Sequence, residues 1–214
     1  MKYIIAALIA LLICSQGATT WATTDDFNRA NSGDVGANWD SGYTGDGALQ
    51  IVGNRVRETT ATDSTEIYNA VTLTSNQWAS FTLATSSGAG VRAPSLLLRF
   101  AAPATKSGYQ FGILVNGYAT SVIRKWTAGS NVDLTSENAT AWAAGDVMRV
   151  EVNGTTLKLY RNGTLLLSTT DGTYADGKSG IMIYSATVAD TEVDDFNTGN
   201  MCTSSLLLMG VGGC

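Results

Sequence analysis

Apolar and polar residues alternate over short runs along most of the chain, and turn-forming residues separate these runs. Gly, Asn and Asp interrupt the apolar runs at intervals of roughly 8–12 residues, a spacing typical of all-β sandwiches and barrels. No segment shows the periodicity of an amphipathic helix over three turns. Without crossover helices, neighbouring strands must pair antiparallel. The pattern therefore predicts an all-β protein of about a dozen antiparallel strands.

Three Asn-Gly pairs predict tight hairpin turns, at 116–117, 153–154 and 162–163. Asn-Gly tolerates the positive φ that a type I′ turn requires at both central positions. The last two pairs predict a meander of three strands, whose bounds are 146–152, 155–161 and 164–170. Alternation along the first of these strands places two sets of side chains on opposite sides of the sheet. One set is Val147, Arg149 and Glu151, and the other is Met148, Val150 and Val152.

Further strands are predicted from runs rich in aliphatic, aromatic and β-branched residues. Their bounds are 66–74, 77–85, 95–101, 108–115, 118–126, 178–187 and 191–197. A further hairpin is predicted over 51–56, where Gly53-Asn54 interrupts the apolar run.

The tetrapeptide Asp-Asp-Phe-Asn occurs twice, at 25–28 and at 194–197. Nothing else around the two copies matches, so they are not an internal repeat. If the first and last strands lie side by side, each Phe can enter the core while the flanking carboxylates point elsewhere. Pairing the two ends in one sheet also protects an edge. We therefore predict that Phe27 and Phe196 are core residues of adjacent antiparallel strands.

Residues 1–22 have the pattern of a secretory signal, with Lys2, an apolar run from Ile4 to Cys14, and small or polar residues through Ala22. The run is well short of the ~20 residues that a membrane span needs. The alternative is a lipoprotein signal modified at Cys14, but Ile13 stands where a small residue is expected. We predict cleavage near Ala22, an extracellular β-sandwich domain over 23–199 and an apolar tail over 200–214.

Composition argues against several classes of function. The chain has 13 basic and 18 acidic residues, a formal net charge of −5, which disfavours nucleic acid and anionic membranes as partners. It contains no histidine, which excludes Ser-His-Asp and Cys-His catalysis and His-ligated zinc. Cys202 and Cys214 remain after the predicted cleavage and can pair in an oxidising compartment.

Three segments, covering roughly residues 25–198, resemble the laminin-G-like jelly rolls of bacterial and phage proteins in the concanavalin A-like superfamily. They are DDFNRANSGDVGANW at 25–39, AAGDVMRVEVNGTTLKLYRNGTLLLSTTDGTYADGKSGIMI at 143–183 and VDDFNTG at 193–199. The resemblance implies a two-sheet antiparallel jelly-roll β-sandwich. This superfamily includes lectins, glycosidases, adhesion modules and phage particle proteins, so the fold by itself does not select a function.

The resemblance also supplies a catalytic pattern for comparison. Laminarinase-like enzymes of the superfamily carry E-x-D-x-x-E on one strand, and its two Glu act as nucleophile and acid/base. The nearest segment here is 192–197, in which Asn197 replaces the second Glu and cannot transfer the required proton. Glu66 and Glu151 are the other strand carboxylates of interest, and we expect both to be solvated. The sequence therefore disfavours this kind of glycosidase.

Sugar binding usually depends on aromatic rings that stack on the apolar faces of the sugar. Tyr109 and Trp126 fall in neighbouring predicted strands, and Arg99 falls in the strand before them. The three residues form a shallow ligand-binding site if they share a face. The alternative interpretation is that the aromatic side chains pack in the core.

The resemblance further implies a structural Ca²⁺ near the paired chain ends, because jelly rolls of this type often hold one there. Asp194 matches the Asp of the closing strand, and Asp26 is expected to lie nearby. Carboxylate oxygens are suitable ligands for this hard cation. The alternative interpretation is that both acids are simply solvated surface residues.

Three hypotheses of function remain at this stage. The leading one, from the resemblance, is a non-catalytic, lectin-like module that binds extracellular carbohydrate. The second is a structural or adhesion subunit that self-assembles through residues 201–214, whose apolar run is unfavourable when exposed to water. The third is a glycoside hydrolase with an unrecognised site. The sequons at Asn138, Asn153 and Asn162 would carry glycans only in a host that glycosylates secreted proteins.

Overall fold

A computed structural model describes residues 22–43, 45–87, 93–101, 104–115, 119–138 and 142–201. The predicted leader up to residue 21, the Asn-Gly pair at 116–117, Cys202 and Cys214, and the tail from 202 onward lie outside the described residues. Within the described ranges, no helix is long and apolar enough to cross a membrane.

Fifteen β-strands form in the described part of the chain. They are β1 (Ala22–Asp25), β2 (Trp39–Asp40), β3 (Leu49–Ile51), β4 (Val56–Glu58), β5 (Ser64–Tyr68), β6 (Gln77–Ser86), β7 (Ser95–Phe100), β8 (Gly108–Val115), β9 (Ala119–Thr127), β10 (Ser130–Glu137), β11 (Val147–Asn153), β12 (Thr156–Arg161), β13 (Thr164–Thr170), β14 (Lys178–Ile183) and β15 (Thr191–Asn200).

Two antiparallel sheets pack face to face. The eight-stranded sheet has the order β13-β12-β11-β6-β15-β4-β3, and β1 also pairs with β15. The seven-stranded sheet has the order β10-β9-β8-β7-β14-β5-β2. This architecture confirms the predicted jelly-roll β-sandwich, because non-sequential neighbours such as β6 and β15 bring distant parts of the chain together in one sheet.

The predicted strands 77–85, 95–101, 108–115 and 118–126 correspond closely to β6, β7, β8 and β9. Strands β11, β12 and β13 form the predicted meander. Its second turn is Asn162-Gly163, with both residues at positive φ as predicted, whereas its first turn is Gly154-Thr155, because Asn153 still pairs with Thr156. Two predicted strands are too long, since β5 ends at Tyr68 and β14 at Ile183. Strand β10 was not predicted, because its turn uses Ala128 and Gly129, at φ of 49° and 84°, in place of Asn-Gly.

Alternation along β11 determines which residues enter the core. Met148, Val150 and Val152 are fully buried between the sheets, as predicted. Arg149 and Glu151 lie on the opposite side and pair with each other at 3.0 Å between Nε and Oε1. The period of two therefore identified the buried face of this strand correctly.

The duplicated Asp-Asp-Phe-Asn segments lie beside each other, as predicted. Strands β1 and β15 are antiparallel neighbours, with Asp25 opposite Phe196. Both Phe27 and Phe196 are completely buried. The two copies are not conformationally equivalent, because the left-handed residue is Phe27 itself in the first copy (φ 50°) and Asp195 in the second (φ 52°).

Candidate functional site

The two faces of the seven-stranded sheet bury different sets of side chains. Leu96, Leu98 and Tyr109 point inward and belong to the sandwich core. The alternate position Leu97 points outward, opposite Gly180 on β14 and Gln110 on β8. A second apolar cluster covers this outer face, and its members are Tyr43, Ile67, Leu97, Phe100, Trp126 and Met182.

An open pocket of about 630 Å³ lies over this outer face and shares Tyr43 and Trp126 with the apolar cluster. Its walls come from three parts of the chain that are distant in sequence, residues 43 and 45–46, 61–63 and 104–106. Tyr184, which follows β14, completes the lining as a half-buried aromatic residue. A pocket with both aromatic and charged lining residues has the general character of a small-molecule site.

An ion-paired lysine lies in the wall of this pocket. Lys106 Nζ lies 2.8 Å from Asp46 Oδ1 and 2.8 Å from Asp63 Oδ2. The same ammonium lies 5.0 Å from the centroid of the Trp126 ring, within cation–π range. Asp46 Oδ2 is buried and has no hydrogen-bond partner among the described residues. Asp46 and Asp63 both contribute to the lining, and the Asp63 side chain is the more accessible of the two, at 37% exposed against 6%.

Hydrogen bonds hold the aromatic floor of the pocket in place. Trp126 Nε1 donates to Gln110 Oε1 at 2.8 Å, and Gln110 Nε2 donates in turn to Ser95 Oγ at 2.8 Å. The Tyr43 hydroxyl donates to the carbonyl oxygen of Ala101 at 2.5 Å. Burial raises the pKa of Tyr43, so this hydroxyl remains a neutral donor at physiological pH.

The structure does not place the three sequence-predicted sugar residues on one face. Tyr109 is opposite Lys125 across the β8–β9 pair, whereas Trp126 is opposite Gly108. Tyr109 therefore points into the sandwich, and Trp126 points outward to the pocket. The prediction of a shared Arg99–Tyr109–Trp126 surface is wrong because a difference of one residue in register selects the opposite face.

Arg99 and Tyr109 instead have structural contacts. The Arg99 guanidinium is 3% exposed and donates to the carbonyl oxygens of Ser75, Gly154 and Tyr174. The Tyr109 hydroxyl donates to Asp171 Oδ1 at 2.7 Å, and burial raises the pKa of Tyr109 to about 12. Neither side chain is available to a ligand in this arrangement.

Sequence reasoning missed Asp46, Asp63 and Lys106. They lie in loops, where no periodic pattern indicates the direction of a side chain. The one local signal is the density of Gly, Thr and Asp over 44–47 and 59–63, which predicts loops but not their proximity. The β-sandwich brings these loops together at one end of the outer face.

Residues 6–178 match the family described as a domain of unknown function, DUF7257. The chain belongs to this family. No curated protein matches the chain.

Several solved structures share the fold of this DUF7257 protein at low sequence identity. The carbohydrate-binding module CBM66 from Bacillus subtilis superposes with a TM-score of 0.61 at 16% identity, covering 74% of this chain and 91% of that one. The exoplasmic/lumenal domain of VIP36, in its Ca²⁺/Man-bound form, gives 0.60 at 7%, covering 79% and 86%. The CBM2 module of the evolved Dit of Lactobacillus casei BL23 phage J-1 gives 0.59 at 9%, covering 87% and 99%. These similarities show the β-sandwich fold.

The predicted calcium ligands Asp26 and Asp194 provide only part of a metal site. Asp26 Oδ1 accepts from the backbone of Asn28 at 3.1 Å, and Asp194 Oδ1 accepts from that of Asp195 at 2.9 Å. Burial, together with the like charges of Asp195 and Asp26, raises the pKa of Asp194. The described residues contain no group of three or more His, Cys, Asp or Glu side chains placed to hold a metal ion. Because Ca²⁺ takes about 6–8 oxygen ligands, these two carboxylates alone would not complete its shell, and calcium at Asp26 and Asp194 stays a prediction.

The strand carboxylates that were considered for catalysis form hydrogen bonds and ion pairs within the domain. Glu192 accepts from Thr85 Oγ1 at 2.9 Å and pairs with Arg55 at 3.3 Å and Arg57 at 3.5 Å. Glu66 was expected to be solvated, but it is 3% exposed and accepts from the backbone N–H of Leu49 at 3.0 Å. That expectation is wrong because Glu66 points inward from β5 toward β3 of the other sheet.

Glu151 was also expected to be solvated, and its side chain is in fact 17% exposed. It accepts a hydrogen bond from the Tyr160 hydroxyl at 3.1 Å and pairs with Arg149. Glu66 and Glu151 therefore lie in different sheets, one inside the sandwich and one on its outer surface. They do not form the facing carboxylate pair that glycoside hydrolysis usually requires.

Proposed function

We propose that this domain is a non-catalytic carbohydrate-binding module whose binding site is the pocket over the outer face of the seven-stranded sheet. One observation carries the proposal: Asp46, Asp63, Lys106 and aromatic side chains converge on one open cavity. Sugars present many hydroxyl groups and apolar ring faces, so their sites combine carboxylate acceptors with aromatic surfaces. The fold shared with a carbohydrate-binding module, and with the VIP36 domain in its Ca²⁺/Man-bound form, supports this proposal.

Each lining residue has a distinct role in this proposal. Asp46 and Asp63 accept hydrogen bonds from sugar hydroxyl groups. Tyr184 offers more ring surface than Trp126, because Tyr184 is half-buried while Trp126 is 8% exposed and lies beneath Lys106. We assign sugar stacking to Tyr184, and to Trp126 the task of supporting the Lys106 side chain.

The proposed site of action is extracellular. This part of the proposal rests on the signal-like residues 1–22 and on the acidic net charge of −5. Surface polysaccharides and secreted glycans are the partners that such a location offers.

The test is a glycan array probed with the purified protein, followed by calorimetric titration of the best soluble oligosaccharide. We expect millimolar or tighter binding, which Asp46→Asn weakens about tenfold, the size of a lost charge-assisted hydrogen bond. Tyr184→Ala removes the stacking surface and weakens binding by a similar factor. Asp26→Asn is the matched control, since it removes an exposed carboxylate outside the pocket.

Two results would contradict the proposal. One is an array on which no glycan binds at millimolar concentration. The other is a ligand whose affinity is unchanged in both Asp46→Asn and Tyr184→Ala. Release of reducing sugar from the bound glycan would instead indicate a hydrolase.

A further inference from the structure

We propose that the Lys106 ammonium is the resident cation of the pocket, so that the pocket binds neutral or amino sugars without a metal ion. The choice of ligand rests on the proposed carbohydrate function, whereas the role of Lys106 rests on the geometry of the pocket itself. The two parts therefore have separate tests.

The ammonium lies where a metal ion bridging the two carboxylates would have to bind. Lys106 Nζ is 2.8 Å from one oxygen of Asp46 and 2.8 Å from one oxygen of Asp63. A Ca²⁺ ion shared by two carboxylates needs those same oxygens at about 2.3–2.6 Å, together with several further ligands. An ammonium and a metal ion cannot both occupy this position, because their charges repel and they compete for the same oxygens.

Burial keeps the lysine in place. The Lys106 side chain is 10% exposed, and that of Asp46 is 6% exposed. Removing the Lys106 charge leaves the buried Asp46 carboxylate without compensation, which is strongly unfavourable. The Trp126 ring, 5.0 Å from Nζ, gives the ammonium a third favourable contact. Lys106 therefore ties the two loops that carry Asp46 and Asp63 to the outer face of the sheet.

Charge and hydrogen bonding at the pocket define the class of ligand. Asp46, Asp63 and Lys106 together carry a net charge of −1, and the donors of Lys106 are directed at the two carboxylates. The Asp63 side chain is 37% exposed, so it is the carboxylate that a ligand reaches as an acceptor. Sugar hydroxyl and ammonium groups are donors, whereas the carboxylate of a uronic or sialic acid would meet a net negative charge.

The cation test uses Tb³⁺, a Ca²⁺ analogue whose luminescence is excited by a nearby tryptophan, here Trp126. We expect Lys106→Gln to bind Tb³⁺ in the pocket at least about tenfold more tightly than wild type, since two carboxylates are then left without a cation. Lys106→Arg keeps the positive charge and should behave as wild type. The gain in Tb³⁺ affinity should disappear in the double variant Lys106→Gln/Asp46→Asn.

A background carrying Asp26→Asn and Asp194→Asn in every variant removes the predicted calcium ligands near the chain ends as a source of signal. Folding of each variant is checked by circular dichroism and thermal melting. Ca²⁺ should raise the melting temperature of Lys106→Gln more than that of wild type. Equal Tb³⁺ affinity of the wild-type pocket and Lys106→Gln would overturn the role of Lys106.

The ligand test measures mannose, glucosamine and glucuronic acid by saturation-transfer NMR in excess chelator. We expect mannose and glucosamine to bind, glucuronic acid to bind at least about tenfold more weakly, and none of the affinities to change when Ca²⁺ replaces the chelator. Binding that requires Ca²⁺, or that favours glucuronic acid, would overturn the inference. If no sugar binds, the proposed function fails, while the Tb³⁺ result still decides the role of Lys106.

Discussion

Phe27 and Phe196, the aromatic residues of the two Asp-Asp-Phe-Asn segments, pack against the same indole ring. Their ring centroids lie 5.9 Å and 4.9 Å from that of Trp39. The Trp39 Nε1–H donates to Asp25 Oδ2 at 2.8 Å, so the first segment holds this ring by both a hydrogen bond and a ring contact. The two ends of the domain are thus joined through a shared aromatic cluster as well as through the β1–β15 pairing.

Phe196→Ala should therefore destabilise the whole domain. The side chain is fully buried, and truncation of such a ring lowers the free energy of unfolding by about 3–5 kcal/mol. Urea denaturation followed by tryptophan fluorescence measures the loss. Phe196→Leu, which keeps most of the apolar volume, should cost about 1.5 kcal/mol or less. An Ala variant as stable as the Leu variant would mean that the cavity collapses or that the contact with Trp39 is unimportant.

Glu66 should make the protein less stable as pH rises from acid to neutral. Burial raises the pKa of Glu66 from 4.5 to about 7, and the hydrogen bond from Leu49 opposes this shift only in part. The folded state therefore holds a proton that the unfolded chain releases. The stability that the protonated Glu66 contributes, on the order of 3 kcal/mol, is fully present below pH 4.5 and is lost as pH rises through about 7.

Glu66→Gln removes this titration and should flatten the stability profile between pH 4.5 and 7. The variant should be more stable than wild type at pH 8. Urea denaturation at several pH values provides the comparison. The stability of Glu66→Gln should still depend on pH to some extent, because burial also raises the pKa of Glu58. Parallel profiles for the two proteins would show that Glu66 is ionised without cost.

Arg99→Met should lower the free energy of unfolding by about 3 kcal/mol, because the carbonyl oxygens of three separate loops lose their donor together. Arg124→Met is the control, since Arg124 pairs with the half-exposed Asp133 at the surface and should cost about 1 kcal/mol or less. Chemical denaturation of both variants gives the difference. An equal loss of unfolding free energy in Arg99→Met and Arg124→Met would contradict the structural role assigned to Arg99.

Gly180→Ala should be strongly destabilising for a steric reason. A Cβ at Gly180 would overlap the backbone oxygen of Glu66 on the neighbouring strand β5. The strands would have to separate, which we expect to cost about 2 kcal/mol or more. At Gly33 a Cβ meets nothing within 4 Å, so Gly33→Ala should change stability by about 0.5 kcal/mol or less. A melting temperature in Gly180→Ala equal to that in Gly33→Ala would refute the close packing of β5 and β14.

Chelation tests the predicted calcium ligands near the chain ends. Calcium bound by Asp26 and Asp194 stabilises only the folded state, so excess chelator should lower the melting temperature and millimolar Ca²⁺ should restore it. Asp194→Asn should show the lowered melting temperature with or without chelator. An unchanged melting temperature in excess chelator would contradict this site.

The sequence by itself determined the fold class and much of the core. Asn162-Gly163 forms the predicted turn between β12 and β13, because this turn conformation is local to two residues. The turn between β11 and β12 was predicted one residue too early, since Gly154-Thr155 forms it. The alternation along β11 identified Met148, Val150 and Val152 as buried, because successive side chains of a strand point to opposite faces. The absence of histidine was also evident from the chain.

The tertiary structure decided the candidate site. Whether Tyr109 and Trp126 share a face depends on the register between β8 and β9, and a shift of one residue reverses the answer. Lys106 and Asp63 are 43 residues apart in the sequence and belong to different loops, yet Lys106 Nζ lies 2.8 Å from Asp63 Oδ2. Loop side chains have no periodic pattern that fixes their direction. Their convergence is therefore a property of how the strands are ordered in the sheet, which only the folded structure determines.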